Sequence, residues 1–245
     1  MKNFLRELLK PKRSSEVTLT KLQELTLLQP FMMGDIKRAE NLYELASDMK
    51  QRDIPGDFVE CGVYQGGSAA TIALALKGTG RTTWLYDSFQ GMPASREIDG
   101  PEAGEVVGKC VGSEEKVHEA MKISGYEPSQ YHVRKGWFKD TFIQDLPSKV
   151  SFLHIDADWY DSVILSLNTF YDRVSEGGII VLDDFGHWEG CREAYYDFVC
   201  QKRIKPLLER FNHTVAYWIK GRTNNRRYIG QDLPLETVFK KSKNI

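Results

Sequence analysis

The sequence predicts an α/β fold, a doubly wound, mostly parallel sheet of seven strands with a helical extension at the N-terminus. Three observations predict it. From residue 57 onward, short apolar runs alternate with helical patterns, as in successive βαβ units. Runs such as "FLHI" (152–155) and "IIVL" (179–182) are nearly continuous in apolar residues, which fits strands buried on both faces. Several runs end in acidic or glycine-rich stretches, and sheets of this kind bind ligands at the carboxyl ends of their strands.

Residues 1–54 read as helical. "DIKRAENLYELASDMKQR" (35–52) sets Ile36, Ala39, Leu42, Tyr43, Ala46 and Met49 on one stripe, and "IPG" (54–56) stops it. "MKNFLRELLKPKR" (1–13) is too charged for a signal peptide; Phe4, Leu5, Leu8 and Leu9 share a face suited to packing on the body or a partner chain. Residues 1–54 are assigned to an extension for lid or oligomer contacts, and 55–245 to the α/β domain. There, strands are expected at 57–64, 81–89, 131–138, 150–158 and 177–185. Helices are expected from the glycine turn at 66–67 to residue 78, at 113–124 with Ser113 as N-cap, at 160–174 and at 191–203. Residues 213–221 and 226–232 read as a closing antiparallel pair. The stretch 90–112 is long for a connection in a compact domain and reads as a lid or a partly disordered loop.

The bulk composition excludes several classes. A chain of 245 residues, 41% hydrophobic and with net charge −1, carries one sizeable core and no general attraction to nucleic acid or anionic membrane. No apolar stretch is long enough to span a bilayer. The 4 cysteines lack zinc-like or CxxC spacing, and with no signal peptide they read as reduced thiols in the cytoplasm.

"VECGVYQGGSA" (59–69) places Glu60, Gly62, Val63, Tyr64, Gly66, Gly67 and Ser68 between a strand and a helix. Glycines there permit a tight turn and a close ligand. A dinucleotide is poorly served, because Glu60 stands where its first glycine would be and faces a pyrophosphate. S-adenosylmethionine, with its cationic amino-acid moiety, tolerates Glu60. Asp87, followed by Ser88, ends the second strand, where an acid can accept from both ribose hydroxyls. In "RKGWF" (134–138), Trp137 or Phe138 after Gly136 can cover an adenine face or can be plain core.

"FLHIDADWYDS" (152–162) and "IIVLDDFGHW" (179–188) each set two aspartates against an apolar strand. Without a cation, four such carboxylates repel one another. Asp156, Asp183 and Asp184 suit a hard divalent ion, Mg²⁺ with Mn²⁺ as an alternative, and no His/Cys cluster competes for zinc. Asp183 and Asp184 converge only if the strand has already broken into a turn. Asp158 reads as a supporting acceptor or as the general base; His187 competes for that role, and His154 reads as structural.

The stretches "IPGDFVECGVYQGGSA", "LYDSFQGMP", "GWFKDTF", "HIDADWYDS" and "GGIIVLDDF" together make residues 35–221 resemble the macrocin O-methyltransferase (TylF-type) family. The resemblance implies a Rossmann-like class I methyltransferase that uses S-adenosylmethionine and Mg²⁺. It places Glu60, Gly62, Gly66, Ser68 and Asp87 at the cofactor, "GWF" near the adenine, the metal at Asp156, Asp183 and Asp184, and the base at Asp158. It further implies a sugar acceptor with neighbouring hydroxyls, in natural-product or surface-polysaccharide synthesis, and a homo-oligomer. The alternatives are a catechol-like acceptor, an NAD-dependent oxidoreductase on a similar sheet, and a non-catalytic module.

Overall fold

The computed structural model of the chain describes residues 14–223. Helix α1 (Ser14–Leu28) and helix α2 (Ile36–Gln51) precede the sheet. Asp35 caps α2, its carboxylate accepting from the Arg38 amide at 2.8 Å, which satisfies an orphan donor of the first turn. Ala39, Leu42, Ala46 and Met49 are buried on the expected stripe. The predicted helix at 1–13 lies outside the described residues.

Then come β1 (Asp57–Cys61), α3 (Gly67–Leu76), β2 (Thr83–Asp87), α4 (Glu114–Ile123), β3 (Tyr131–Lys135), α5 (Phe138–Thr141), β4 (Val150–Ile155), α6 (Tyr160–Phe170), β5 (Val174–Leu182) and α7 (Glu189–Lys202). The two-residue β6 (Glu209–Arg210) and β7 (Ala216–Ile219) close the sheet. Its seven strands run in the order β3-β2-β1-β4-β5-β7-β6. β1 to β5 are parallel, and β7 is antiparallel to both β5 and β6. The order reverses between β1 and β4, so a ligand crevice is expected outside those two strand ends. The predicted partner of β7 was 226–232; that stretch lies outside the described residues, and the partners found are β5 and β6.

Strand alternation sorts the core into two layers. Phe58, Leu85, Phe152, Ile179 and Val181 face α1 to α4, and Leu25, Leu28, Leu42 and Met49 join that cluster. The N-terminal helices therefore share the sheet's core. Val59, Tyr86, Leu153, Ile155 and Leu182 face the other layer, with Val163, Leu167 and Phe198 of α6 and α7.

The strands stop earlier than the apolar runs suggest, because the chain breaks into turns at their carboxyl ends. Gly62 follows β1 with φ +88°, and a Cβ there would overlap the Asp156 carbonyl oxygen. Only glycine lets the ends of β1 and β4 approach so closely. At Gly67 a Cβ would meet Met32 at 2.6 Å, so the segment before α2 lies directly on the start of α3. The stretch 90–112 is a structured wall. It carries two 3₁₀ turns, Asp99 accepts from the Tyr160 amide at 2.8 Å, and Trp159 Nε1 donates to Pro93 O at 3.0 Å.

Two substitutions separate steric from purely conformational cost. Gly62→Ala is expected to lower stability by at least about 3 kcal/mol, because backbone must move as well as φ. Gly78→Ala, at φ +80° with open space around it, is expected to cost about 1 kcal/mol. Urea unfolding midpoints of the two variants check the difference.

Candidate active site

A cavity of about 510 Å³ opens at the carboxyl ends of β1, β2, β4 and β5. The turn after β1 supplies Gly62, Val63 and Tyr64, with Ser68 at the start of α3. Asp87 and Ser88 follow from β2, and Gly136, Trp137 and Phe138 from the turn after β3. Asp156 and Asp158 come from the end of β4, Asp183 and Asp184 from the end of β5. Thirteen of the residues singled out in the sequence thus meet in one cavity.

Four others are placed elsewhere. Gly66 and Gly67 form the turn and the contact with Met32 and do not line the cavity. Glu60 was expected to face the cofactor, but it is fully buried behind the wall. Its neighbour Phe58 faces the α1–α4 layer, and period two sends Glu60 the same way. There it binds His154 Nδ1 at 2.7 Å, and nearby Ser68 favours its charged form. His187, a candidate base, is exposed, does not line the cavity and stacks edgewise on Trp188.

Asp87 is more committed than the sequence reading allows. Its Oδ2 accepts from the Val63 and Tyr64 amides at 2.7 and 2.8 Å, and its Oδ1 from Phe89 at 2.7 Å. It braces the glycine loop against β2 while still facing the cavity.

β5 ends at Leu182, so Asp183 and Asp184 lie beyond the regular strand, as their convergence requires, yet they diverge. Asp183 is 1% exposed and turns toward the α1–α4 layer. Arg38 Nη1 donates to its Oδ2 at 2.5 Å, and His154 Nε2 lies 3.4 Å from its Oδ1. Asp184 turns the other way. One ligand atom from each of Asp156, Asp158 and Asp184 falls within 4.8 Å of the others, and His154, Asp156 and Asp183 do the same. Asp156 belongs to both groups.

The electrostatics follow from that packing. Burial, then the Asp183 and Asp158 charges, pushes the Asp156 carboxyl well above the usual range. Burial and the Asp158, Asp156 and Asp183 charges do the same to Asp184. Burial lifts Asp158 to about 6 although Trp188 Nε1, donating to its Oδ1 at 2.9 Å, favours the charged form. Asp158 also sits at φ +57°, a strained backbone that aspartate tolerates better than most residues. For His154, burial disfavours the charge, but the bonds and charges of Asp183 and Glu60 outweigh it and raise the ring to about 10. Burial pushes Glu60 up too, and its bond to His154 pulls it back.

The donor set fits a hard divalent ion. It offers carboxylate oxygens, and both nitrogens of His154 are already engaged. Asp184 Oδ2 is buried without a hydrogen-bond partner, a cost that coordination removes.

Sequence reasoning missed Arg38, Trp188 and the wall from Phe31 to Gly34. Arg38 lies 145 positions from Asp183, and no local pattern marks such a pair. Trp188 could have been found, since "FGHW" extends the turn that carries Asp184.

A model of the macrocin-O-methyltransferase (TylF) family matches residues 17–220. The chain belongs to this family. By family and fold it is an S-adenosylmethionine-dependent O-methyltransferase. It is 30% identical over 200 residues to the demethyldecarbamoylnovobiocin O-methyltransferase of Streptomyces niveus, covering 78% of this chain and 76% of the relative. It is 29% identical over 197 residues to the 8-demethyl-8-(2,3-dimethoxy-alpha-L-rhamnosyl)-tetracenomycin-C 4'-O-methyltransferase of Streptomyces olivaceus, covering 76% of this chain and 74% of the relative. The solved structure of the O-methyltransferase NovP matches with a TM-score of 0.69 at 30% identity, over 78% of this chain and 83% of that one. The family resemblance and the fold class read from the sequence both hold, and the oxidoreductase and non-catalytic readings give way.

Raised carboxyl pKa values make a stability prediction for the ion-free protein. Asp156, Asp158 and Asp184 keep protons in the folded state that the unfolded chain releases. Their contribution is therefore full below the usual carboxylate range and is lost as pH rises through the folded values, about 6 for Asp158. Asp184→Asn removes one of the crowded charges. In chelator-treated protein near pH ~7.5 it is expected to raise stability by about 1–3 kcal/mol and to flatten the decline above pH ~5. Thermal melts across pH check both.

Proposed function

We propose that this chain moves the methyl group of S-adenosylmethionine to a hydroxyl oxygen of a sugar, with a divalent cation, Mg²⁺ or Mn²⁺, at the aspartate cluster. The observation that carries this reading is the convergence of Asp156, Asp158 and Asp184 in the cavity that the glycine loop and Asp87 also wall. The relative from Streptomyces olivaceus is named for a rhamnosyl-bearing tetracenomycin, which supports a glycosidic acceptor in natural-product synthesis. The motifs themselves ask only for neighbouring hydroxyls, which a catechol-like acceptor also has.

In this reading Gly62, Val63, Tyr64 and Ser68 receive the amino-acid end of the cofactor, Asp87 and Ser88 its ribose, and Gly136, Trp137 and Phe138 its adenine. Asp156, Asp183 and Asp184 hold the ion. The cofactor supplies an electrophilic methyl group, and the ion supplies orientation and acidification of the acceptor hydroxyl. Asp158 removes the hydroxyl proton as the oxygen attacks, and a carboxyl raised to about 6 suits a base at neutral pH. Trp188 keeps that carboxylate aimed and charged. Met92–Pro93 and Met32–Met33 supply apolar wall to the same cavity.

A second reading exchanges two roles. Asp158 rather than Asp183 completes the ion's ligands, because Asp158 converges with Asp156 and Asp184 whereas Asp183 is held by Arg38. The proposal includes a cytoplasmic location, supported by free Cys61, Cys110, Cys191 and Cys200, and a homo-oligomer, supported by exposed Leu22 and Leu27 on α1. Among the described residues no helix is long and apolar enough to cross a membrane.

Methyl transfer to a rhamnoside acceptor is expected to stop with chelator and to return with Mg²⁺. Asp158→Asn is expected to lower kcat by at least about 100-fold while ion and cofactor binding persist. Lost ion binding in that variant would instead make Asp158 a ligand. Trp188→Phe is expected to move the acidic limb of the rate profile up by about one pH unit, since a hydrogen bond to the charged form is gone.

A further inference from the structure

Arg38 and Lys139 are the only basic side chains among the described residues lining the cavity. Lys139 follows Trp137 and Phe138 on α5; Arg38 alone bonds to an aspartate of the cluster. Its guanidinium is fixed at both ends of the fork. Nη1 donates to Asp183 Oδ2 at 2.5 Å and Nη2 to Thr214 Oγ1 at 2.9 Å. The backbone is fixed as well, through the Asp35 cap. Gly34 leaves room for the side chain, since a Cβ there would lie 2.5 Å from Arg38 Cδ. The carboxylate site is therefore divided: Asp183 is neutralised from within the chain, whereas Asp184 Oδ2 is bare.

We propose that Arg38 is the resident counter-cation of the aspartate site, holding Asp183 Oδ2 while the divalent ion is absent and releasing it to the ion on binding. This rests on the metal reading above. Guanidinium and ion are alternatives for one oxygen. Asp183 is too deeply buried to remain uncompensated, and its Oδ1 already faces His154. Arg38 sits in the first turn of α2, directly after the wall formed by Met32, Met33 and Gly34. Its release therefore couples ion binding to the segment that closes the cavity. Arg38 is a positioning residue that acts through Asp183.

The test is calorimetric titration of Mn²⁺ alone into the full-length protein, with no turnover. Arg38→Gln is expected to bind Mn²⁺ about tenfold tighter than wild type, because the competing cation is gone. Arg38→Lys keeps the charge but loses the fork, and Thr214→Val removes the second anchor. Each is expected to bind about threefold tighter. Unchanged affinity in Arg38→Lys and Thr214→Val would show that Arg38 acts by charge alone, and the inference would fall. Weaker binding in Arg38→Gln would overturn it outright. If Arg38→Gln does not fold, hydrogen exchange in wild type decides. Mn²⁺ is expected to speed exchange of the Arg38 and Ala39 amides, which bond to Asp35; unchanged exchange overturns the competition. No Mn²⁺ binding by wild type would overturn the metal reading and this inference together, whereas binding that is indifferent to Arg38 and Thr214 overturns the inference alone.

Discussion

Mutual repulsion of four aspartates at the ends of two neighbouring strands is the constraint that the surrounding structure answers. Parallel β4 and β5 deliver Asp156, Asp158, Asp183 and Asp184 to one edge of the sheet, Asp183 buried and the other three half-buried along the cavity, close enough together to repel. The fold compensates one of them from within. Asp183 is bracketed by Arg38 and His154, itself held by Glu60. The other three converge on the cavity in an arrangement that suits an ion from outside.

That compensation ties together parts of the chain that are far apart in sequence. Strand register sets Glu60 beside His154 and His154 beside Val181, so Glu60, His154 and Asp183 run in series along one sheet face, from beneath the glycine loop to the aspartate cluster. Arg38 and Thr214 continue the series into α2 and the segment before β7. The N-terminal helices therefore serve both the core, through Leu42 and Met49, and the site, through Arg38. A polar series of this kind rigidifies a site when every member is satisfied. Its one unpartnered oxygen among the atoms named, Glu60 Oε2, marks where it is not.

Much of this was legible in the sequence. Near-continuous apolar runs revealed buried parallel strands, and acids or glycines at their ends revealed the ligand edge, because a parallel sheet brings all such ends to one side. What was not legible has physical causes. The glycine turn draws attention to Glu60 as a cofactor contact, and only strand period shows that its side chain enters the α1–α4 layer, onto His154. Asp183 and Asp184 are adjacent, and adjacency does not reveal that one bonds Arg38 while the other groups with Asp156 and Asp158. Arg38 comes from a helix whose apolar stripe is plain in the sequence, whereas nothing in its polar face marks a partner 145 positions away. His187 follows Asp183 and Asp184 closely in sequence, and the turn carries it into solvent.

The central claim is that cofactor and ion lie side by side in one cavity. Nuclear magnetic resonance of bound S-adenosylmethionine carrying a carbon-13 methyl group, recorded with and without Mn²⁺ and without acceptor, tests it most directly. The account predicts that Mn²⁺ broadens the methyl signal severely, that chelation restores it, and that Asp184→Asn abolishes the effect. A methyl signal that stays sharp with Mn²⁺ bound to the protein would contradict it.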